Sequence, residues 1–235
     1  MKFNNKEYAN NLALILSREF NDKMDLLCKL DGYLGDGDHG ITIKRGMDAV
    51  LVNIENTPDF TSLSDVYKSI GISMLKTMGG ASGPIFSTFF IQTSIELLEI
   101  KDNNEITAIT VQEIYKKTLQ ALIDLSESNV GDKTMIDAVS QAYINLAKDI
   151  KNNNCQSVAS AFKSAVDGAK AGALNTINMV AKKGRARYLS QQSIGIIDPG
   201  AVSFYIISCA MYKAWTLNST QIKNSKVINM DFLSF

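Results

Sequence analysis

Three aspartates, Asp31, Asp36 and Asp38, fall close together around a glycine-rich run, Gly35-Asp36-Gly37-Asp38-His39-Gly40. No Lys or Arg stands between Lys29 and Lys44 to offset their charge. The alternating glycines let the backbone turn sharply and aim several oxygens at one point. Carboxylates gathered in this way are costly unless water or a cation sits among them. Hard oxygen donors suit Mg²⁺ or Ca²⁺ better than zinc. Gly35-x-Gly37-x-x-Gly40 has the spacing of a dinucleotide fingerprint, but a helix rather than a strand precedes it, and its aspartates would repel a bare phosphate. An EF-hand counted from Asp36 would put Gly40 at its fifth position and Met47 at its twelfth, where Glu belongs. No Walker A sequence occurs. Two readings remain: Mg²⁺ held by carboxylates with nucleotide phosphates completing its shell, or a solvated Asp/Gly turn between helices. In the first, the metal inverts the sign of the site and phosphate becomes welcome.

Other segments carry weaker chemistry. Gly79-Gly80-Ala81-Ser82-Gly83-Pro84 precedes an expected helix, whose N-terminus would favour an anion; taken alone it reads first as a flexible helix–helix turn. Gly131-Asp132-Lys133-Thr134 opens another helix. Gly184-Arg185-Ala186-Arg187-Tyr188 lies in a long connection; its guanidinium groups suit phosphate, or simply a solvated surface. His39 is the single histidine, and its place after Asp38 puts it beside whatever the carboxylates bind.

These segments need helices to position them. Apolar residues recur at three and four, and no stretch keeps a two-residue alternation. The pattern predicts eight helices joined by short connections, an all-α antiparallel bundle forming one domain over 1–235, with its core at about 5–215. The first runs from Asn5 to Asp31 with a break near Asn21, and the second from Gly40 to Asn56. The third starts near Ser62, spaced with Asp65 as in a capping box, and ends at Gly79-Gly80. The fourth begins at Pro84, and the fifth at Thr110 with Glu113 completing its box. The sixth follows Gly131-Asp132, the seventh spans Gln156 to Val180, and the eighth starts at Pro199 behind an Asp198 N-cap. Residues 218–235 show too little patterning to place.

Composition excludes several classes. Formal net charge is zero, which argues against a nucleic-acid binder. Cys28, Cys155 and Cys209 show neither metal spacing nor a disulfide framework, which fits a reducing cytoplasm. No signal-peptide core is present, and the most apolar stretch, Ala201 to Ala214, is too short to span a membrane.

Four ordered blocks together resemble the L subunit, or L domain, of the dihydroxyacetone kinase family. They are Leu34-Gly35-Asp36-Gly37-Asp38-His39-Gly40, Gly79 to Pro84, Gly131-Asp132-Lys133-Thr134-Met135-Ile136-Asp137-Ala138, and Gly184 to Leu189 running through Ser193-Ile194-Gly195 to Asp198-Pro199-Gly200-Ala201. The resemblance implies an eight-helix antiparallel barrel with nucleotide at one end. Asp31, Asp36 and Asp38 would hold two Mg²⁺ ions that bridge the phosphates of ADP or ATP. His39, Gly40, Ile41 and Thr42 would line the nucleotide, Ala81 and Ser82 would meet it, and Met135 would border the adenine. Arg185 would approach from the long connection, with Asp198, Pro199 and Gly200 closing the remaining side. Ser126, standing where the family has a glycine, would also line the nucleotide. Phosphoryl transfer of this kind needs positioning and charge neutralisation more than covalent help.

The resemblance also implies partners. A separate K subunit would carry dihydroxyacetone, and an M subunit of the phosphotransferase system would recharge bound ADP to ATP; free ATP is the alternative donor. A homodimer in the cytoplasm is expected. Ser190-Gln191-Gln192 stands where the family often has Gly-Glu-Arg, and Ile196-Ile197 where a polar pair is common. A paralogue acting on another short ketose, or a nucleotide-loaded adaptor without turnover, is the alternative.

Overall fold

The computed structural model describes residues 4–100 and 106–231. Among these there is no strand. The helices are α1 (Asn5–Asp22), α2 (Met24–Leu34), α3 (His39–Asn56), α4 (Leu63–Thr77), α5 (Ser82–Leu97), α6 (Ala108–Ser126), α7 (Met135–Lys151), α8 (Val158–Asn175), α9 (Pro199–Thr216) and α10 (Ser219–Asn224). A 3-10 turn (Thr176–Asn178) and a longer 3-10 segment (Arg185–Ser193) interrupt the α8–α9 connection.

Eight of these close a ring. α1 packs on α3, each helix from α3 to α8 packs on the next, α8 packs on α9, and α9 returns to α1. Successive helices alternate in direction, so the loops ahead of α3, α5, α7 and α9 gather at one end. Contacts confirm it: His39 at the start of α3 meets Ser203 on α9 at 2.8 Å and Ser82 on α5 at 3.5 Å. The interior is aromatic. Phe89 meets Phe204 at 5.1 Å and Phe90 at 5.3 Å between ring centroids, and the Tyr8 and Tyr67 hydroxyls share a hydrogen bond of 2.7 Å. Phe204 is fully enclosed; truncating it to alanine would cost about 3–5 kcal/mol. α7 and α8 come close because a Cβ on Gly172 would lie 2.6 Å from the Asp137 carbonyl oxygen.

Several expected boundaries shift for identifiable reasons. The first helix does break near Asn21, at Lys23, and the second piece, α2, leans on α3 and α9 outside the ring. α4 ends at Thr77, ahead of the glycines, and α5 starts at Ser82 rather than Pro84. α6 starts at Ala108, because Thr107 and not Thr110 is the cap: the Thr107 hydroxyl accepts the Thr110 N–H and the Thr110 hydroxyl accepts the Thr107 N–H. α8 stops at Asn175, short of Val180, where the 3-10 turn takes over. Asp198 does cap α9, accepting the Ala201 N–H at 2.7 Å.

The unpatterned tail packs against α1. Arg18 donates to the Ile222 carbonyl at 3.1 Å and to Ser225 at 2.9 Å, and buried Glu19 accepts the Ile228 N–H at 2.8 Å. Residues 232–235 lie outside the described residues. Among the described residues no helix is long and apolar enough to cross a membrane.

Candidate nucleotide and metal site

The loop between α2 and α3 is built on Asp31. Its carboxylate, in the last turn of α2, accepts the backbone N–H of Asp38 at 3.0 Å and of His39 at 3.3 Å. Gly37 holds a left-handed φ of +79°, which turns the chain back toward α3. Gly40 lets α3 start against α2, since a Cβ there would sit 2.0 Å from the Met24 carbonyl oxygen. The result is that one carboxylate oxygen from each of Asp31, Asp36 and Asp38 lies within 4.8 Å of the others. Asp36 and Asp38 are exposed and Asp31 is half-buried. Three hard, anionic donors open to solvent fit Mg²⁺ with room for further oxygen ligands. Each carboxylate has acceptor capacity beyond the hydrogen bonds it already makes.

His39 sits below this loop and is buried. Its Nε2 pairs with the Ser203 hydroxyl and its Nδ1 faces Ser82, with the Phe86 ring 6.0 Å away. Burial pushes its pKa down to about 4, although Asp31 and the Pro199 backbone pull the other way. The imidazole is therefore neutral near pH 7. Asp198 behaves oppositely: burial raises its pKa to about 7 against the pull of the Ala201 N–H and Lys133.

The remaining expected residues divide into those that converge and those that do not. Ala81 is at the N-cap of α5 and Ser82 begins that helix. Gly200 lies beside Met135, whose Cβ would be 3.5 Å from a Cβ placed on Gly200. Pro199 opens α9 directly beside them. Arg185 forms an ion pair with Asp36, bringing the long connection onto the carboxylate cluster. Thr42 is buried, its N–H bonded to the Asp38 carbonyl at 2.9 Å, whereas Ile41 faces solvent. The bonds of Ser126 stay at the end of its own helix, to the Leu122 carbonyl and the Ser128 N–H.

Sequence reasoning missed Ser203, a polar residue inside the apolar stretch whose only signal is its interruption of that run. It also gave Lys133 and Asp137 no role. Asp137 accepts the N–H groups of Gly131 and Thr134 at 2.6 and 2.8 Å, and the T-x-x-D spacing was the legible clue. Ser190 adopts φ 50°, ψ −125°, a conformation suited to glycine. It is the position where the resemblance led us to expect glycine.

An all-helical ring with a carboxylate cluster at one end defines the class. The chain belongs to the family described as the DAK2 domain, whose model matches residues 33–213. Among its relatives, the "PEP-dependent dihydroxyacetone kinase, ADP-binding subunit DhaL" of Escherichia coli is 33% identical over 78% of this chain and 85% of that protein. The "PTS-dependent dihydroxyacetone kinase, ADP-binding subunit DhaL" of Lactococcus lactis is 32% identical over 79% and 87%. The crystal structure of the dihydroxyacetone kinase of C. freundii superposes with a TM-score of 0.65 at 25% identity, over 88% of this chain and 34% of that longer one. The eight-helix ring is thus the fold the resemblance led us to expect.

Proposed function

We propose that this chain is the nucleotide-carrying subunit of a dihydroxyacetone kinase. It holds ADP or ATP with two Mg²⁺ ions at Asp31, Asp36 and Asp38, and passes a phosphoryl group to dihydroxyacetone on a separate K subunit. A phosphotransferase-system M subunit recharges it. The observation that carries this reading is the convergence of the three carboxylates at the loop end of the ring. The relatives named as ADP-binding subunits support it, because they align along nearly their whole length.

Bound Mg²⁺ would supply charge neutralisation to the phosphates. The protein's part is positioning. The three aspartates fix the cations, and the Arg185 guanidinium brings a further positive charge to their rim. Neutral His39, held by Ser203 and Ser82, ties the starts of α3 and α5 to α9 without adding charge. Asp198 caps α9 and fixes the last wall.

A second reading, a nucleotide-loaded adaptor without turnover, is supported by the departures from the family pattern at Gln191, Gln192 and Ile196.

The first test is to purify the chain without added nucleotide, denature it and identify what is released. Near-stoichiometric ADP supports a permanently held coenzyme and a phosphotransferase donor. An empty chain that binds ATP loosely favours exchange with free ATP. An empty chain that binds neither, or normal Mg²⁺–ADP binding by Asp36→Asn with its helix content intact, overturns the site. Reconstitution with K and M subunits separates kinase from adaptor, since an adaptor forms no dihydroxyacetone phosphate.

A further inference from the structure

Lys133 is a buried cation in the α6–α7 loop. Its backbone is left-handed, with φ +62°. Two carboxylates fix the turn around it. Asp137 takes the N–H groups of Gly131 and Thr134, and Asp132 takes that of Asn129 at 2.7 Å. Held so, the side chain runs inward, and its ammonium donates to the carbonyl oxygens of Thr176 and Ile196. Those two residues stand at opposite ends of the α8–α9 connection. The same ends are joined directly: the Gly195 N–H donates to the Ile177 carbonyl at 2.8 Å, and the Asp198 N–H to the Thr176 hydroxyl at 2.9 Å. The Lys182 N–H adds a bond to the Asp132 carbonyl at 3.1 Å. The connection is therefore a loop with a closed neck. Lys133 fastens that neck to the α6–α7 loop, while the Lys182–Asp132 ion pair at 3.3 Å and the Lys183 bond to the Glu127 carbonyl hold the connection further along. What projects from the neck is the segment carrying Arg185 onto Asp36.

We infer that Lys133 is a positioning residue: by bridging Thr176 and Ile196 it closes this neck, and so holds Arg185 and Asp198 at the carboxylate cluster. The inference rests on the nucleotide-site reading for its effect on ligand binding, but not for its effect on the loop. A charged donor bonded to two carbonyls in a buried site is worth more than a neutral one; removing it takes that donor from the Ile196 carbonyl and leaves the Thr176 carbonyl with the Met179 N–H at 3.1 Å. Methionine keeps the length and apolar stem of lysine without the donor. Arginine keeps the charge and can still donate to two carbonyls.

The test compares wild type, Lys133→Met and Lys133→Arg by hydrogen exchange without nucleotide or metal, then by calorimetric titration with Mg²⁺–ADP. In Lys133→Met, amide exchange within 177–196 should rise about tenfold or more while α3 and α5 keep their protection. Mg²⁺–ADP affinity should fall by about tenfold, and Lys133→Arg should recover most of both. Unchanged exchange within 177–196 overturns the inference. So does an equal rise throughout the ring, which would mark a merely structural role, or an arginine variant no better than methionine. If neither variant folds, acetylation of the wild type decides. Lys133 should label far more slowly than exposed Lys182, and equal rates overturn the inference. The exchange result needs no nucleotide, so it stands or falls separately from the binding of Mg²⁺–ADP to Asp36→Asn.

Discussion

Arg185 is paired with Asp36, so the cation that overhangs the site rests on one of the three carboxylates that converge there. A guanidinium and a metal ion compete for the same oxygen. Replacing Arg185 with Gln should therefore strengthen the binding of Mg²⁺ alone by about two- to fivefold, since the exposed pair is a weak one. The same change should weaken Mg²⁺–ADP by about tenfold if the guanidinium moves to phosphate. Calorimetric titrations with and without ADP read both signs; a parallel change in the two would contradict the exchange of partners.

Asp198 gives a pH dependence. Its folded pKa is raised to about 7, while an unfolded carboxyl titrates near its ordinary value of 3.8. Between these values the folded state keeps a proton that the unfolded chain has lost, so stability falls as pH rises from about 4 to 7 and levels off above. A shift of this size would amount to ~4 kcal/mol if the group were wholly shielded. Asp198 keeps some solvent contact, so about half of that is expected. Asp198→Asn retains the capping oxygen. In denaturant melts with EDTA, it should flatten the slope between about pH 4 and 7 and show its largest gain above pH 7.

Gly40→Ala tests the seating of α2 on α3. Its Cβ would collide with the Met24 carbonyl oxygen and approach Cys28 Sγ at 2.8 Å. We expect a loss of about 1–3 kcal/mol. Because α2 carries Asp31, Mg²⁺ binding should weaken as well. A stable variant with an intact metal site would mean that the two helices yield easily.

Ser190→Gly should be stabilising. Serine at φ 50°, ψ −125° pays a backbone cost of about 1 kcal/mol that glycine avoids. The gain should appear as a rise in melting temperature, with Arg185 still able to reach Asp36.

Removing residues 218–235 should destabilise the ring and spare the site. The truncation strips the Ile228 N–H from buried Glu19 and two partners from Arg18. Glu19 keeps its ion pairs with Lys213 at 3.3 Å and Arg18 at 3.6 Å, so the lost N–H donor to a charged acceptor costs about 1–3 kcal/mol. Mg²⁺–ADP affinity should stay within about twofold, since none of these contacts touches the carboxylate cluster.

What the sequence revealed follows the range of the forces involved. Helix periodicity and caps are local, so Ser62, Thr134 and Asp198 mark true helix starts. The acidic cluster was legible because its three members lie on one loop. Thr107 was passed over because Thr110 and Glu113 offered the same spacing, and the sequence alone does not say which hydroxyl finds a free N–H. Ser203 and Lys133 act on partners far along the chain, through contacts that only ring closure creates. The tail was illegible for the same reason. Beyond the local Asn218–Gln221 capping box that opens α10, its order comes from Arg18 and Glu19 on α1.

The closure of α1 against α9 has a consequence for evolution by gene fusion. Ser219, just past α9, bonds Glu7 at 3.0 Å and Asn11 at 3.1 Å, so the two ends of the ring emerge side by side. α1 begins and α9 finishes at the end away from the carboxylates. A covalent tether to another module at the start of α1 would leave the working face clear. The same architecture can therefore serve as a free-standing subunit or as about a third of a longer polypeptide, the share it spans of the C. freundii kinase.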